Sequence, residues 1–191
     1  KLSANRGMII DRNGEPLAVS TPVDTVWADP RKLAQHPQEF ARLAKALDRD
    51  KNWLARRVTS NLDREFVYLV RHMRPADAAK VKALGISGVD TLREYRRYYP
   101  AGEVTGHLLG FTNVDDVGQE GLELAFDQWL GGEPGIKRVM RDREGRTIED
   151  IERIKAPRPG QDLRTSIDLR VQYLAYRALK QAVQENSAHG G

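Results

Sequence analysis

The stretch Met8-Ile9-Ile10-Asp11-Arg12-Asn13-Gly14-Glu15-Pro16-Leu17-Ala18 decides how this chain is read. Met8–Asp11 begins as an apolar run and reads as a strand. Asp11–Gly14 is a turn, and Asn13-Gly14 is the dipeptide of type I′ hairpins, where both central residues need positive φ. Leu17–Trp27 alternates loosely with β-branched residues and reads as the returning strand. Gly7 and Gly14 allow backbone that other residues resist.

Beyond this hairpin the punctuation is dense, as expected of many short elements. Pro37–Leu47 is predicted helical, with Phe40, Leu43, Ala44 and Leu47 on one face. Asp50 caps a second helix through Val58. Phe66–Val70 reads as a strand. Pro75 suits the first turn of a helix that runs to Leu84 and stops at Gly85. Val89–Tyr99 is a strand halted by Pro100. Gln119–Leu130 reads as an amphipathic helix with Leu122, Ala125, Phe126 and Trp129 in one stripe and Gly131-Gly132 as its stop. Gly135–Arg143 and Thr147–Ile151 are predicted strands joined across Glu144-Gly145-Arg146. Ala156–Gly160 has the composition of a linker, and Leu163–Ile167 is a short strand. Asp168 caps a last helix carrying Val171, Leu174, Ala175, Ala178, Ala182 and Val183, a stripe that needs a partner surface. The predicted class is α+β, antiparallel hairpins with interspersed helices rather than strict βαβ alternation.

The 191 residues allow one large domain or two small ones. With 31 basic and 27 acidic residues of mixed order, most charges belong on solvated faces. The absence of cysteine excludes a disulfide framework, a redox pair and a thiolate zinc site. No run approaches the roughly 18 apolar residues of a membrane helix. If a longer parent is anchored, its anchor is expected upstream of Lys1.

Catalytic and metal patterns fail on inspection. His36, His72, His107 and His189 show no HExxH and no i,i+4 pair, so no metal or other cofactor is expected. Asn113–Leu124 mimics a calcium loop, but Val117 fails at the fifth position and Leu124 replaces the closing Glu. Gly102, Gly106 and Gly110 match neither nucleotide loop; their four-residue spacing predicts close packing on one helical face. Arg93, Arg96 and Arg97 interleave with Tyr95, Tyr98 and Tyr99, a mixture that can clamp single-stranded nucleic acid. On a strand these side chains alternate faces, however, and no nucleic-acid module accompanies them.

Five blocks in order resemble the class B penicillin-binding proteins. Arg6-Gly7-Met8-Ile9-Ile10-Asp11-Arg12-Asn13-Gly14 with Leu17-Ala18 is similar to the motif that opens their periplasmic module. Arg97-Tyr98-Tyr99-Pro100-Ala101-Gly102 is similar to their RxYPxG block, and Gly118-Gln119-Glu120-Gly121-Leu122-Glu123 to their GxxGxE block. Asp142–Arg146 and Leu163–Leu169 follow in the familial order. Asp11–Pro30 is most similar to the septal, FtsI-type branch of Gram-negative bacteria; the elongation-type branch is the alternative.

The resemblance implies the family's N-terminal pedestal, or dimerisation, module. Residues 1–160 would form it, and 161–191 would be the first strand and helix of a truncated transpeptidase domain. The parent would be a D,D-transpeptidase at the periplasmic face of the inner membrane. Its expected partners are its own transpeptidase domain, an FtsW-type glycan polymerase and other division proteins, without nucleic acid. The family's catalytic domain carries SxxK, SxN and K[ST]G motifs. None of the six serines here has lysine three residues on, and no lysine precedes Ser/Thr-Gly. The chain is therefore expected to be non-catalytic, with an independent hydrolase and an anionic-polymer binder as contrasting readings. Asp11, Arg12, Arg97, Glu120 and Glu123 are expected to form a partly buried charge-paired network that clamps the blocks together.

Overall fold

The computed structural model describes residues 2–141 and 147–190. Its strands are β1 Ile9–Ile10, β2 Pro16–Ala28, β3 Val67–Met73, β4 Val89–Tyr98, β5 Ile136–Arg141, β6 Thr147–Lys155 and β7 Leu163–Arg164. Its helices are α1 Pro30–Leu33, α2 Phe40–Ala46, α3 Lys51–Thr59, α4 Pro75–Ala83, α5 Gly106–Leu109, α6 Gly121–Ala125, α7 Asp127–Leu130 and α8 Leu169–Glu185. The class is α+β, as expected. The chain divides into two compact units, each assembled from three separate stretches of sequence.

The first unit comprises residues 1–3, 22–96 and 134–157. The C-terminal half of β2 pairs antiparallel with β3, from Asp24 opposite Met73 to Ala28 opposite Val67. Helices α2, α3 and α4 bury Leu43, Ala44, Leu54, Val58, Ala78 and Val81 together with Val26 and Leu69. Local signals set the helix ends. The Asp50 carboxylate accepts from the amides of Asn52 and Trp53, and Pro75 opens α4, which Gly85 ends in the left-handed region at φ 64°. β5 and β6 form a separate antiparallel hairpin. The Glu144-Gly145-Arg146 connection and the Asp142–Arg146 block lie outside the described residues.

The second unit comprises residues 4–21, 97–133 and 158–191. Here β1 pairs antiparallel with the start of β2 and parallel with β7, so the opening hairpin and a strand about 155 residues later share one sheet. Ile9, Leu17, Ala18, Leu109 and Leu130 form its core.

Three expectations need correction. The turn at Asp11–Gly14 is not type I′: only Gly14 has positive φ, at 94°, while Asn13 does not. The Asp11 side chain replaces that geometry by accepting from the Asn13 and Glu15 amides. The predicted helix 119–130 is two short helices broken at Phe126, and of its apolar stripe only Leu122 packs on the core: Ala125, Phe126 and Trp129 are exposed while Glu123 and Leu130 are buried. Gly102, Gly106 and Gly110 do not share a helical face. Only Gly110 is closely packed, and a Cβ there would lie 2.0 Å from the Glu120 carbonyl oxygen.

Candidate functional site

The charged residues that the sequence makes conspicuous converge inside the second unit. Arg6 lies just before β1, Arg97 near the end of β4, and Glu123 in α6. Glu123 is 0% exposed, with Arg6 at 2% and Arg97 at 7%. Each carboxylate oxygen of Glu123 is claimed by a different arginine: Oε2 accepts from Arg6 Nε at 2.8 Å and Oε1 from Arg97 Nε at 2.7 Å. Arg6 also donates through Nη1 to Asp127 Oδ1 at 2.7 Å and through Nη2 to the Glu123 carbonyl at 2.8 Å. Arg97 Nη1 reaches the Gly7 carbonyl at 2.7 Å and the Ser20 hydroxyl at 3.1 Å. The two planar guanidinium forks thus tie the opening hairpin, the end of β4 and α6–α7 to one carboxylate.

Charge balance decides whether such burial is tolerable. Burial opposes the charge on Arg6, but hydrogen bonds and ion pairs to Glu123 and Asp127 outweigh it and hold its pKa above the ordinary value. Burial, followed by the Glu123 charge, pushes the Tyr99 hydroxyl up to about 12. Asp116 sits against the same cluster in the left-handed region, φ 63°. Its carbonyl accepts from Arg6 Nη1 at 3.2 Å, while its Oδ1 is buried without a hydrogen-bond partner. Burial pushes its carboxyl up to about 6, with Arg6 and Arg97 pulling down and Glu123 and Asp127 pushing up.

The expected network and the observed one differ in membership. Arg97 and Glu123 are in it, as is Arg6 from the first block. Asp11 is buried but serves the turn and the start of α8: its Oδ2 accepts from the Leu169 amide at 3.2 Å. Desolvation opposes its ionisation, yet the surrounding amide hydrogen bonds hold its carboxyl below the usual range. Arg12 and Glu120 are exposed. Asp116 and Asp127 are members that the sequence reading missed, because both meet the cluster through Arg6, more than 100 residues away in sequence.

The glycines of the motif blocks act through close approach. A Cβ on Gly7 would meet the Gln161 carbonyl oxygen at 2.0 Å, and one on Gly118 the Glu123 carbonyl oxygen at 2.1 Å. Gly121 is left-handed, φ 57°, against the backbone of Leu108–Gly110. Gly102 is left-handed in open space, and Pro100 is exposed. Gly7, Gly118 and Gly121 lock backbone to backbone; Gly102 and Pro100 do not. Both oxygens of Glu123 are engaged, and the cluster ties its own backbone segments together. Among the described residues no group of three His, Asp or Glu is placed to hold a metal ion.

The last helix is tied on at few points. The Asp168 carboxylate caps it through the Arg170 amide, Gln172 Nε2 donates to the Val104 carbonyl, and Lys180 pairs with Glu103 at 2.9 Å. None of its residues is buried; Val171 and Leu174 are each 63% exposed. No described helix is long and apolar enough to cross a membrane.

The spaced motifs of this α+β chain meet in a buried ion-paired knot. The chain belongs to the Penicillin-binding Protein dimerisation domain family, whose model matches residues 1–165. It is 46% identical over its whole length to the probable peptidoglycan D,D-transpeptidase PbpC of Pseudomonas aeruginosa, covering 34% of that protein. It is 45% identical, again over its whole length, to the peptidoglycan D,D-transpeptidase FtsI of Escherichia coli K12, covering 33% of it. The chain therefore spans about a third of the length of the relatives it matches. A solved complex of penicillin-binding protein PBP2 with MreC from Helicobacter pylori shares the fold, with TM-score 0.70 and 22% identity over 94% of this chain and 38% of that one.

Proposed function

We propose that this chain is the pedestal and protein-interaction module of a septal, FtsI-type class B penicillin-binding protein. In this reading residues 161–191 are the first strand and helix of the transpeptidase domain, and the module holds that domain away from the inner membrane on its periplasmic side. The parent protein, anchored by an upstream span, crosslinks peptidoglycan stem peptides; this chain performs no acyl transfer. The observation that carries the proposal is Glu123 held by both Arg6 and Arg97, whose guanidinium groups also reach the Glu123 and Gly7 carbonyls of two different motif blocks. Such a knot fixes a shape for others to recognise. The 45% identity to FtsI supports the septal branch. The exposed apolar residues of α8 support a missing partner, because an amphipathic helix is held in a globular protein mainly by burying that face.

The proposed partners are the chain's own transpeptidase domain and an FtsW-type glycan polymerase. The purified chain should bind the septal polymerase, reconstituted in detergent, at least about tenfold more tightly than the elongation polymerase. Equal affinity, or a preference for the elongation polymerase, would move the module to the elongation branch. No binding to either would remove the interaction role.

A further inference from the structure

Of the six asparagines in the chain only Asn13 precedes a glycine. The fold places that Asn13-Gly14 pair at the tip of the opening turn, where both residues are exposed. A Cβ on Gly14 would meet nothing within 4 Å, so no neighbouring group crowds this position. The Asn13 side chain meanwhile joins two distant stretches of the second unit. Its Nδ2 donates to Asp11 Oδ2 and to Asp168 Oδ2, each at 3.2 Å. Both acceptors also hold the start of α8: Asp11 Oδ2 accepts from the Leu169 amide, and Asp168 caps the helix through the Arg170 amide. The same seam is closed by the Arg12 amide on the Ile167 carbonyl at 2.8 Å and by Arg164 Nη2 on the Arg12 carbonyl at 2.7 Å.

We propose that Asn13-Gly14 is a self-modification site, at which conversion of the Asn13 side-chain amide to a carboxylate unties the start of α8 from the opening turn. The Gly14 amide nitrogen gives its proton to hydroxide and attacks Asn13 Cγ. The new C–N bond closes a cyclic imide, and the side-chain nitrogen leaves as ammonia, taking a proton from water. Water then adds to either imide carbonyl and breaks one C–N bond, leaving aspartate or isoaspartate; nothing is oxidised or reduced. Glycine assists the attack because it brings no side chain to block the approach. The fold restrains it, because the Gly14 amide donates to the Asp11 carbonyl at 3.2 Å and two carboxylates hold the Asn13 side chain. Attack therefore proceeds when the turn opens locally away from α8.

The product reverses the contact. A donor becomes a carboxylate facing two others. Hydrogen bonds from Arg170 and Asn13 hold the Asp168 carboxyl below its usual range, and Asp11 is also held low. The Arg170 guanidinium, paired with Asp168 at 3.2 Å, then stands against three carboxylates instead of two. Like charges this close repel, so the seam loses a tie and gains a repulsion.

The folded 191-residue chain, held in warm, mildly alkaline buffer and sampled over time, tests this by peptide mass mapping with an isoaspartate assay. Asn13 should show amide-to-acid conversion ahead of Asn5, Asn52, Asn61, Asn113 and Asn186. Asp168→Ser keeps a helix-capping residue but removes the tether, and should hasten conversion at Asn13 by about threefold or more. In Asn13→Asp, hydrogen exchange at the Arg12 and Leu169 amides should quicken by about threefold or more, with Ile9 and Leu130 unchanged. Asn13 converting no faster than the other asparagines would overturn the proposal, and this time course needs no variant. A conversion rate indifferent to Asp168→Ser, or Leu169 exchange indifferent to Asn13→Asp, would overturn it equally. No partner enters these measurements, so their outcome is separate from that of the polymerase experiment.

Discussion

Arg6 and Glu123 stand 117 residues apart in the chain and 2.8 Å apart in space, both excluded from solvent. Their pairing converts distant motif blocks into one rigid knot, because Arg97 occupies the other carboxylate oxygen. Removing Glu123 leaves the buried Arg97 guanidinium without its carboxylate and Arg6 with Asp127 alone. Glu123→Ala should therefore cost about 3–5 kcal/mol, the usual penalty for breaking a buried pair from one side. Denaturant unfolding of the second unit, followed by hydrogen exchange at the amides of Ile9 and Leu130, measures it. A loss below about 1 kcal/mol would mean that the cluster does not hold the blocks together.

The motif glycines give a paired prediction. Gly110 is left-handed, φ 71°, and a Cβ there would meet the Glu120 carbonyl oxygen at 2.0 Å; Gly106 has nothing within 4 Å. Gly110→Ala should destabilise by more than about 2 kcal/mol, whereas Gly106→Ala should change stability by less than about 1 kcal/mol. Thermal melts of the two variants decide it.

Asp116 makes the second unit sensitive to pH. Its folded pKa, about 6, lies above the ordinary value of 3.8, so the folded state binds the proton more tightly than the unfolded one. The stability this group contributes is complete below about pH 4 and is lost as pH rises toward and through 6. Asp116→Asn should flatten that part of the stability curve and raise stability at pH 7.5 by on the order of 1–2 kcal/mol, allowing for partial solvent exposure. Melting curves of both proteins between pH 4.5 and 7.5 read the difference.

The face of α8 should be energetically silent in this chain. Leu174→Ala is expected to change stability by less than about 0.5 kcal/mol, because Leu174 is 63% exposed. Leu130→Ala, at a fully buried core position, should cost about 2–5 kcal/mol. If Leu174→Ala costs as much as Leu130→Ala, the helix is buried against something in solution.

Much of this architecture was legible in the residues. Asp50, Pro75 and Gly85 mark helix ends by local chemistry, and the hairpin at Ile9–Ala18 follows from an apolar run, a turn and a second apolar run. The region 119–130 misled because periodicity weighs only hydrophobicity. The buried face of α6 is set by Glu123, a residue that pattern reading places outside, and its burial depends on two arginines far away in sequence. The same non-locality hid Asp116 and Asp127. The turn at Asp11–Gly14 was located correctly, but its geometry was not, since a side chain that hydrogen-bonds its own loop competes with the glycine-driven turn type.

The proposed module holds its shape around Glu123 and forms no acyl-enzyme. Incubating the purified 191-residue chain with a fluorescent β-lactam and measuring its intact mass tests that claim most directly. The predicted result is the unmodified mass and no fluorescence on the denatured protein. A stoichiometric covalent adduct on any of Ser3, Ser20, Ser60, Ser87, Ser166 or Ser187 would contradict it.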